Sequence, residues 1–209
     1  MHFSLRPYQK EIAEKACNIL QRLGIVYLAM EVRTGKTLTA LEIARLFGAK
    51  NVLFLTKKKA IQSISNDYNR LNFGFNLSVI NNESIHKITD DFDLIISDEH
   101  HRNGAFPKPN KTTKIIHQKY AHLPFIFLSG TPHPESYSQI YHQFWVSNRT
   151  PFAQYNNFYK WSKVFVNVTE KYLGYAKVNN YSNARIELIQ PIIDKYFINF
   201  TQQEAGFET

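Results

Sequence analysis

Three short polar stretches follow apolar runs in this chain, and each carries side chains able to do chemistry. The first is Glu31-Val32-Arg33-Thr34-Gly35-Lys36-Thr37. Gly-Lys-Thr between an apolar run and a helical pattern presents backbone N–H groups and a helix N-terminus to an anion. Lys36 has the reach for the outer phosphates of a nucleotide, and the Thr37 hydroxyl can ligate Mg²⁺. The full phosphate-loop pattern has a glycine five residues before Gly35, where this chain has Met30. The alternative is a solvated turn. The second stretch is Asp98-Glu99-His100-His101. Asp98 is placed to hold Mg²⁺ through water and Glu99 to polarise an attacking water. Two adjacent carboxylates are costly to desolvate unless a cation sits with them. The alternatives are an ordinary acidic turn, or a metal site using His100, His101 and His133, which lacks the helical spacing of catalytic zinc sites. The third stretch, Ser129-Gly130-Thr131-Pro132, is informative chiefly through its place in the order.

Each stretch needs a strand to deliver it, and the chain supplies one. Residues 25–30, 51–56, 77–80, 92–97 and 124–129 are short, nearly continuous apolar runs of strand length. Continuous rather than alternating runs predict parallel strands covered on both faces. Between them lie helical patterns over 6–23, 38–47, 60–71 and 112–120, the first closed by Gly24 and the second by Gly48. Strand–helix alternation predicts an α/β parallel sheet with right-handed crossovers. In open α/β sheets, ligands bind beyond the carboxyl ends of the strands, so the turns after Met30, Ser97 and Ser129 are expected to converge.

From about residue 135 the texture changes. Of 30 aromatic residues, 16 lie between Tyr137 and Phe200, which predicts a packed extension. Residues 186–193 read as helix despite Pro191, and 196–200 alternate like a strand. The expected organisation is an α/β domain over 1–145 and a mainly helical extension over 146–209.

The 209 residues are ordinary in composition, with 44% hydrophobic and 20% charged side chains, which excludes a disordered class. No apolar run approaches the roughly 18 residues of a membrane span. Cys17 is the sole cysteine, so an intrachain disulfide is impossible, and a reducing, cytoplasmic setting is expected. A net charge of +8 favours a polyanionic partner. Lys57-Lys58-Lys59 follows a strand, and Lys108, Lys111 and Lys114 form a second basic stretch. Either can hold phosphates, or be a solvated face. Trp145 and Trp161 read as packing residues rather than base-stacking platforms.

Taken in order, these stretches resemble the first RecA-like domain of a superfamily 2 helicase or translocase. Leu5-Arg6-Pro7-Tyr8-Gln9 resembles the adenine-reading element that precedes the phosphate loop. Arg33 to Thr37 resembles motif I, Asp98 to His101 a motif II of the DExH type, and Ser129 to Thr131 motif III. Within the superfamily the likeness is to the Swi/Snf-like group, particularly phage and prophage members, with Asn82-Glu83-Ser84 as a degenerate version of its Asn-Tyr-Glu element. It covers residues 1 to about 145 well and the rest loosely.

The resemblance implies ATP and Mg²⁺ as ligands. Arg6, Gln9, Arg33, Thr34, Gly35, Lys36 and Thr37 would contact ATP, with Gln9 reading adenine. Thr37 and Asp98 would hold the metal, and Lys36, Asp98 and Glu99 would be catalytic. His101, Ser129, Gly130 and Thr131 would couple the γ-phosphate state to nucleic acid. Thr56, Lys57 and Lys58 would touch a nucleic-acid backbone, duplex DNA being the expected polymer. Arg33 stands where many members have glycine, and His100 where a small residue is usual. No second RecA-like domain or Arg-rich motif VI is visible, so a second domain, in cis or in trans, is the expected partner. An arginine finger from such a domain is worth ~10³ or more in rate, so weak hydrolysis is expected of this chain alone. The competing expectations are a non-catalytic nucleic-acid-binding module with an inert ATP pocket, and an RNA helicase or restriction-system motor.

Overall fold

A computed structural model describes residues 4–174 and 176–207 of the chain. The strands are β1 (Ile25–Met30), β2 (Asn51–Thr56), β3 (Asn76–Asn81), β4 (Leu94–Asp98), β5 (Phe125–Ser129), β6 (Thr169–Leu173), β7 (Ala176–Asn180) and β8 (Phe197–Phe200). Six of them form one sheet in the order β3-β2-β4-β5-β1-β8, and every pairing in it is parallel. β6 and β7 make a separate antiparallel hairpin.

Side chains along each central strand alternate between two apolar layers, so both faces must be covered. Val26, Leu28, Phe54, Ile96 and Leu128 pack on one side with α1 (Pro7–Leu23), α2 (Lys36–Phe47) and α3 (Ile61–Leu71). Tyr27, Leu53, Ile95, Phe125 and Phe127 face α4 (Lys111–Tyr120), α5 (Ile140–Trp145), α6 (Phe158–Phe165) and α7 (Ile186–Ile193). In α1 the buried stripe is Ile12, Ala13, Ala16, Cys17 and Leu20, the spacing of one helical face. Gly24, at φ +72°, closes the helix by donating its N–H to the Leu20 carbonyl.

Side chains from beyond residue 145 share this core. Trp161 is fully buried and packs in the same layer as Tyr27 and Phe127, together with Phe165, Ile189 and Tyr196. β8 extends the sheet on the far side of β1, with Leu28 opposite Ile198 and Met30 opposite Phe200. The segment expected as an extension therefore supplies an edge strand of the main sheet as well as two helices and the hairpin. The reason is that β1 would otherwise expose a ladder of unpaired backbone groups beside the functional turns.

The order β2-β4-β5-β1 has a direct consequence. Thr56, Asp98, Ser129 and Met30 end four neighbouring parallel strands, so their turns lie side by side at the carboxyl edge.

Candidate active site

The turn after β1 is held in a closed arch. Arg33 and Gly35 take positive φ values of 65° and 82°, and Thr34 is buried with its hydroxyl donating to the Glu31 carbonyl at 2.7 Å. α2 begins at Lys36, two residues earlier than expected, so Lys36 and Thr37 sit in its first turn. The Lys36 ammonium donates to the Met30 and Glu31 carbonyls at 2.6 and 3.0 Å. Burial pushes its pKa down, against the pull of Asp98, Glu99 and Glu31.

The Arg6–Gln9 element braces the arch from below. Gln9 is buried; its amide nitrogen donates to the Gly35 carbonyl at 3.3 Å and its oxygen accepts from the Arg6 N–H at 2.8 Å. The Tyr8 hydroxyl donates to the Thr34 carbonyl at 3.1 Å. In this state the Gln9 amide is committed to the loop and the helix start. Arg6 and Arg33 are exposed at the rim.

The second turn presents its carboxylates to the same space. Asp98 accepts from the Thr56 hydroxyl at 2.8 Å and from the Glu99 N–H at 2.9 Å. Burial raises the Asp98 pKa; the Thr56 hydrogen bond opposes this and the Glu99 charge adds to it. Glu99 takes a left-handed φ of 51° and accepts from the Lys57 ammonium at 2.7 Å. Burial acts to raise its pKa, but the Lys57 hydrogen bond and charge outweigh this and hold the carboxyl below its usual value. His101 Nδ1 lies 3.6 Å from the other Glu99 oxygen. Burial lowers the His101 pKa, and the Glu99 charge opposes this.

The third turn closes the gap. Ser129 is buried, its hydroxyl 2.8 Å from His101 Nδ1 and accepting from the Thr131 N–H at 3.1 Å. A Cβ added at Gly130 would sit 3.5 Å from the Met30 carbonyl oxygen and 3.8 Å from the Lys36 nitrogen. The glycine thus keeps open the space between loop and carboxylates. Glu31, Val32, Lys36, Asp98, Glu99, Gly130, Thr131 and Gln202 line a cavity of about 430 Å³ there. One cation, Lys36, and three carboxylates, Glu31, Asp98 and Glu99, surround this cavity, which suits a phosphate chain together with its Mg²⁺; Asp98 lines the cavity as a metal donor and Thr37 stands in the adjoining first turn of α2.

A family model described as "Type III restriction enzyme, res subunit" matches residues 2–73, from α1 through α3. No curated protein matches the chain. Among solved structures, the helicase domain of Pyrococcus furiosus Hef is similar, with a TM-score of 0.52 and 21% identity over 67% of this chain. The likeness shows a RecA-like α/β fold. This chain spans 36% of that structure's chain, and at such identity the likeness speaks to the fold of the RecA-like domain alone.

Three side chains in this RecA-like domain have partners that the sequence did not indicate. Thr56, expected on a nucleic-acid backbone, is fully buried and braces Asp98 instead. Lys57 pairs with Glu99, and Lys58 and Lys59 are the exposed part of the basic run. His100 is fully buried and stacked on Phe127 at 3.6 Å. Its Nε2 donates to the Gln143 carbonyl at 2.9 Å and its Nδ1 lies 2.8 Å from the Ser97 hydroxyl. Both nitrogens are engaged and burial pushes its pKa down to about 3, so it is a neutral packing residue. Among the described residues no group of three His, Cys, Asp or Glu side chains is gathered for a metal ion.

Two glutamines went unforeseen. Gln143, fully buried, accepts from the Tyr27 hydroxyl at 2.6 Å, donates to the Pro132 carbonyl at 2.7 Å and meets His100, joining the second turn to the third. Gln202 follows β8, donating its backbone N–H to the Glu31 carboxylate and its side chain to the Val32 carbonyl. Its signal was Thr201-x-x-Glu204, a helix-start spacing in which Thr201 and Glu204 do bond reciprocally.

Proposed function

We propose that this chain is the ATP-binding half of a nucleic-acid-dependent ATPase of superfamily 2, of the Swi/Snf-like kind. ATP hydrolysis would be coupled to translocation on duplex DNA, with a second RecA-like domain, in cis or in trans, completing the site. The observation that carries the reading is the meeting of Lys36, Asp98, Glu99 and Gly130 around one cavity from three separate strand ends. Lys36 and the loop N–H groups bind phosphate, Thr37 and Asp98 hold Mg²⁺, and Glu99 orients the attacking water. Arg6 and Gln9 lie on the adenine side, Gln9 acting there through its grip on Gly35. Mg²⁺ would neutralise the charge on the outer phosphate oxygens. His101, Ser129 and Thr131 link the water-orienting carboxylate to the turn nearest the outer phosphate. Among the described residues no helix is long and apolar enough to cross a membrane, in keeping with a cytoplasmic motor.

The test is a calorimetric titration of Mg-ATP into the chain, with phosphate release measured in the same samples with and without duplex DNA. Binding with weak release supports the half-site. A second reading, an inert pocket on a nucleic-acid-binding module, draws on Lys36 and Glu99 both being occupied by internal partners. Salt-sensitive DNA binding that ignores ATP and survives Lys36→Ala would establish it instead.

A further inference from the structure

The ends of β2 and β4 are wired together residue by residue. Thr56 reaches Asp98 and Lys57 reaches Glu99, across neighbouring strands whose register sets Leu55 opposite Ser97. The Lys57–Glu99 pair is open to solvent, each side chain about one-third exposed. Lys57 also begins the turn that carries the rest of the basic run, since its carbonyl accepts the Ala60 N–H at 2.9 Å and Lys58 and Lys59 project from that turn into solvent.

Two demands therefore fall on one ammonium. Half-exposed ion pairs are weak, because water solvates both partners well when apart. A polyanion laid along Lys58 and Lys59 would bring a phosphate within a lysine's reach of Lys57. Phosphate backbones draw such lysines strongly, since each contact releases condensed counterions. A carboxylate oxygen engaged by an ammonium is also a poorer acceptor for a water proton, so Glu99 is restrained while the pair holds.

We propose that Lys57 is a two-position switch, paired with Glu99 in the free chain and with a backbone phosphate of duplex DNA in the bound one, so that nucleic acid releases the water-orienting carboxylate. This rests on the ATPase reading above. By linkage, whatever frees Lys57 from Glu99 must tighten nucleic-acid binding, and that consequence can be measured without any hydrolysis.

The experiment is a double-mutant cycle on the chain. Affinity for a mixed-sequence 20-base-pair DNA is measured by fluorescence anisotropy across a salt series for wild type, Lys57→Ala, Glu99→Gln and the double variant. Circular dichroism and melting confirm that each variant folds. Glu99→Gln is expected to bind about three- to five-fold tighter, the scale of an exposed ion pair removed as competitor. The gain should vanish in the Lys57→Ala background, and Lys57→Ala should flatten the log–log salt slope by about 0.9, one phosphate contact. An equal gain with and without Lys57 would mean a general charge effect and overturn the switch, as would an unchanged slope or no DNA binding by any variant. A wild type that takes up no Mg-ATP would defeat the ATPase reading itself. Additive effects in a chain that does bind Mg-ATP would defeat the switch alone.

Discussion

The Lys36 ammonium sits 2.6 Å from the Met30 carbonyl oxygen, at the position where the phosphate-loop pattern calls for glycine. The contact uses only the backbone of Met30, which explains how a side chain is tolerated there: it points into the apolar layer with Val26 and Leu28. The loop rests closed on its own lysine, and a triphosphate must exchange with two carbonyls to take that lysine. Lys36→Ala removes the cation and is expected to weaken Mg-ATP binding at least tenfold in calorimetry, with circular dichroism unchanged. Binding within twofold of wild type would show that Lys36 does not hold phosphate.

Glu99→Gln separates binding from turnover. The amide keeps the shape of the side chain but cannot take up a proton. Mg-ATP affinity is expected to stay within about threefold, while phosphate release falls ~10²-fold or more, the usual loss when a general base is removed. Equal hydrolysis in wild type and variant would remove Glu99 from the chemistry.

How legible this was depends on the kind of signal. The strands β1, β2, β4 and β5 were readable because burial on both faces demands apolar runs such as Ile25–Met30, and few other environments select runs of that length and composition. The three turns stood out because polar residues follow apolar strands there, and the strand order sets them side by side around one cavity. The β6–β7 hairpin was not foreseen: residues 169–172 and 176–179 are exposed, so neither apolar face nor core marks it. Gln143 and Gln202 were missed for another reason. A glutamine is marked by its partners, and those of Gln143 lie 11, 43 and 116 residues away while those of Gln202 lie about 170 away. Thr56 and Lys57 were placed on the right strand end, but their bonds to Asp98 and Glu99 were not foreseen, because strand order is not written in a single strand.

Gly35 tests the coupling of the Arg6–Gln9 element to the loop. Its φ of +82° disfavours any side chain, and an added Cβ would lie 2.1 Å from the Gln9 amide nitrogen. Gly74 has a similar φ of +80° but nothing near the same atom. Gly74→Ala is expected to cost about 1 kcal/mol from backbone strain alone. Gly35→Ala should cost clearly more, ~2–4 kcal/mol, because Gln9 must also give way. Urea midpoints of the two variants make the comparison, and equal losses would mean that Gln9 moves freely.

Acid should unfold this protein through its buried rings. Burial lowers the pKa of His100 to about 3 and that of His142 to about 4, in each case against a hydrogen bond to a backbone carbonyl. His101 and His133 are lowered by burial in the same direction. The unfolded chain protonates such rings near pH 6.5, whereas the folded protein resists to much lower pH. Between those values the unfolded state binds more protons, so stability is full above about pH 6.5 and falls as pH drops toward the folded pKa values. At pH 5 the loss should be about 2 kcal/mol for each of His100 and His142. Urea midpoints at pH 7.5 and pH 5.0 read the total. His142→Phe, which keeps an aromatic ring against Phe158 and removes one titration, should shrink the difference by about 2 kcal/mol. A pH difference as large in His142→Phe as in wild type would show that His142 is not held neutral in the fold.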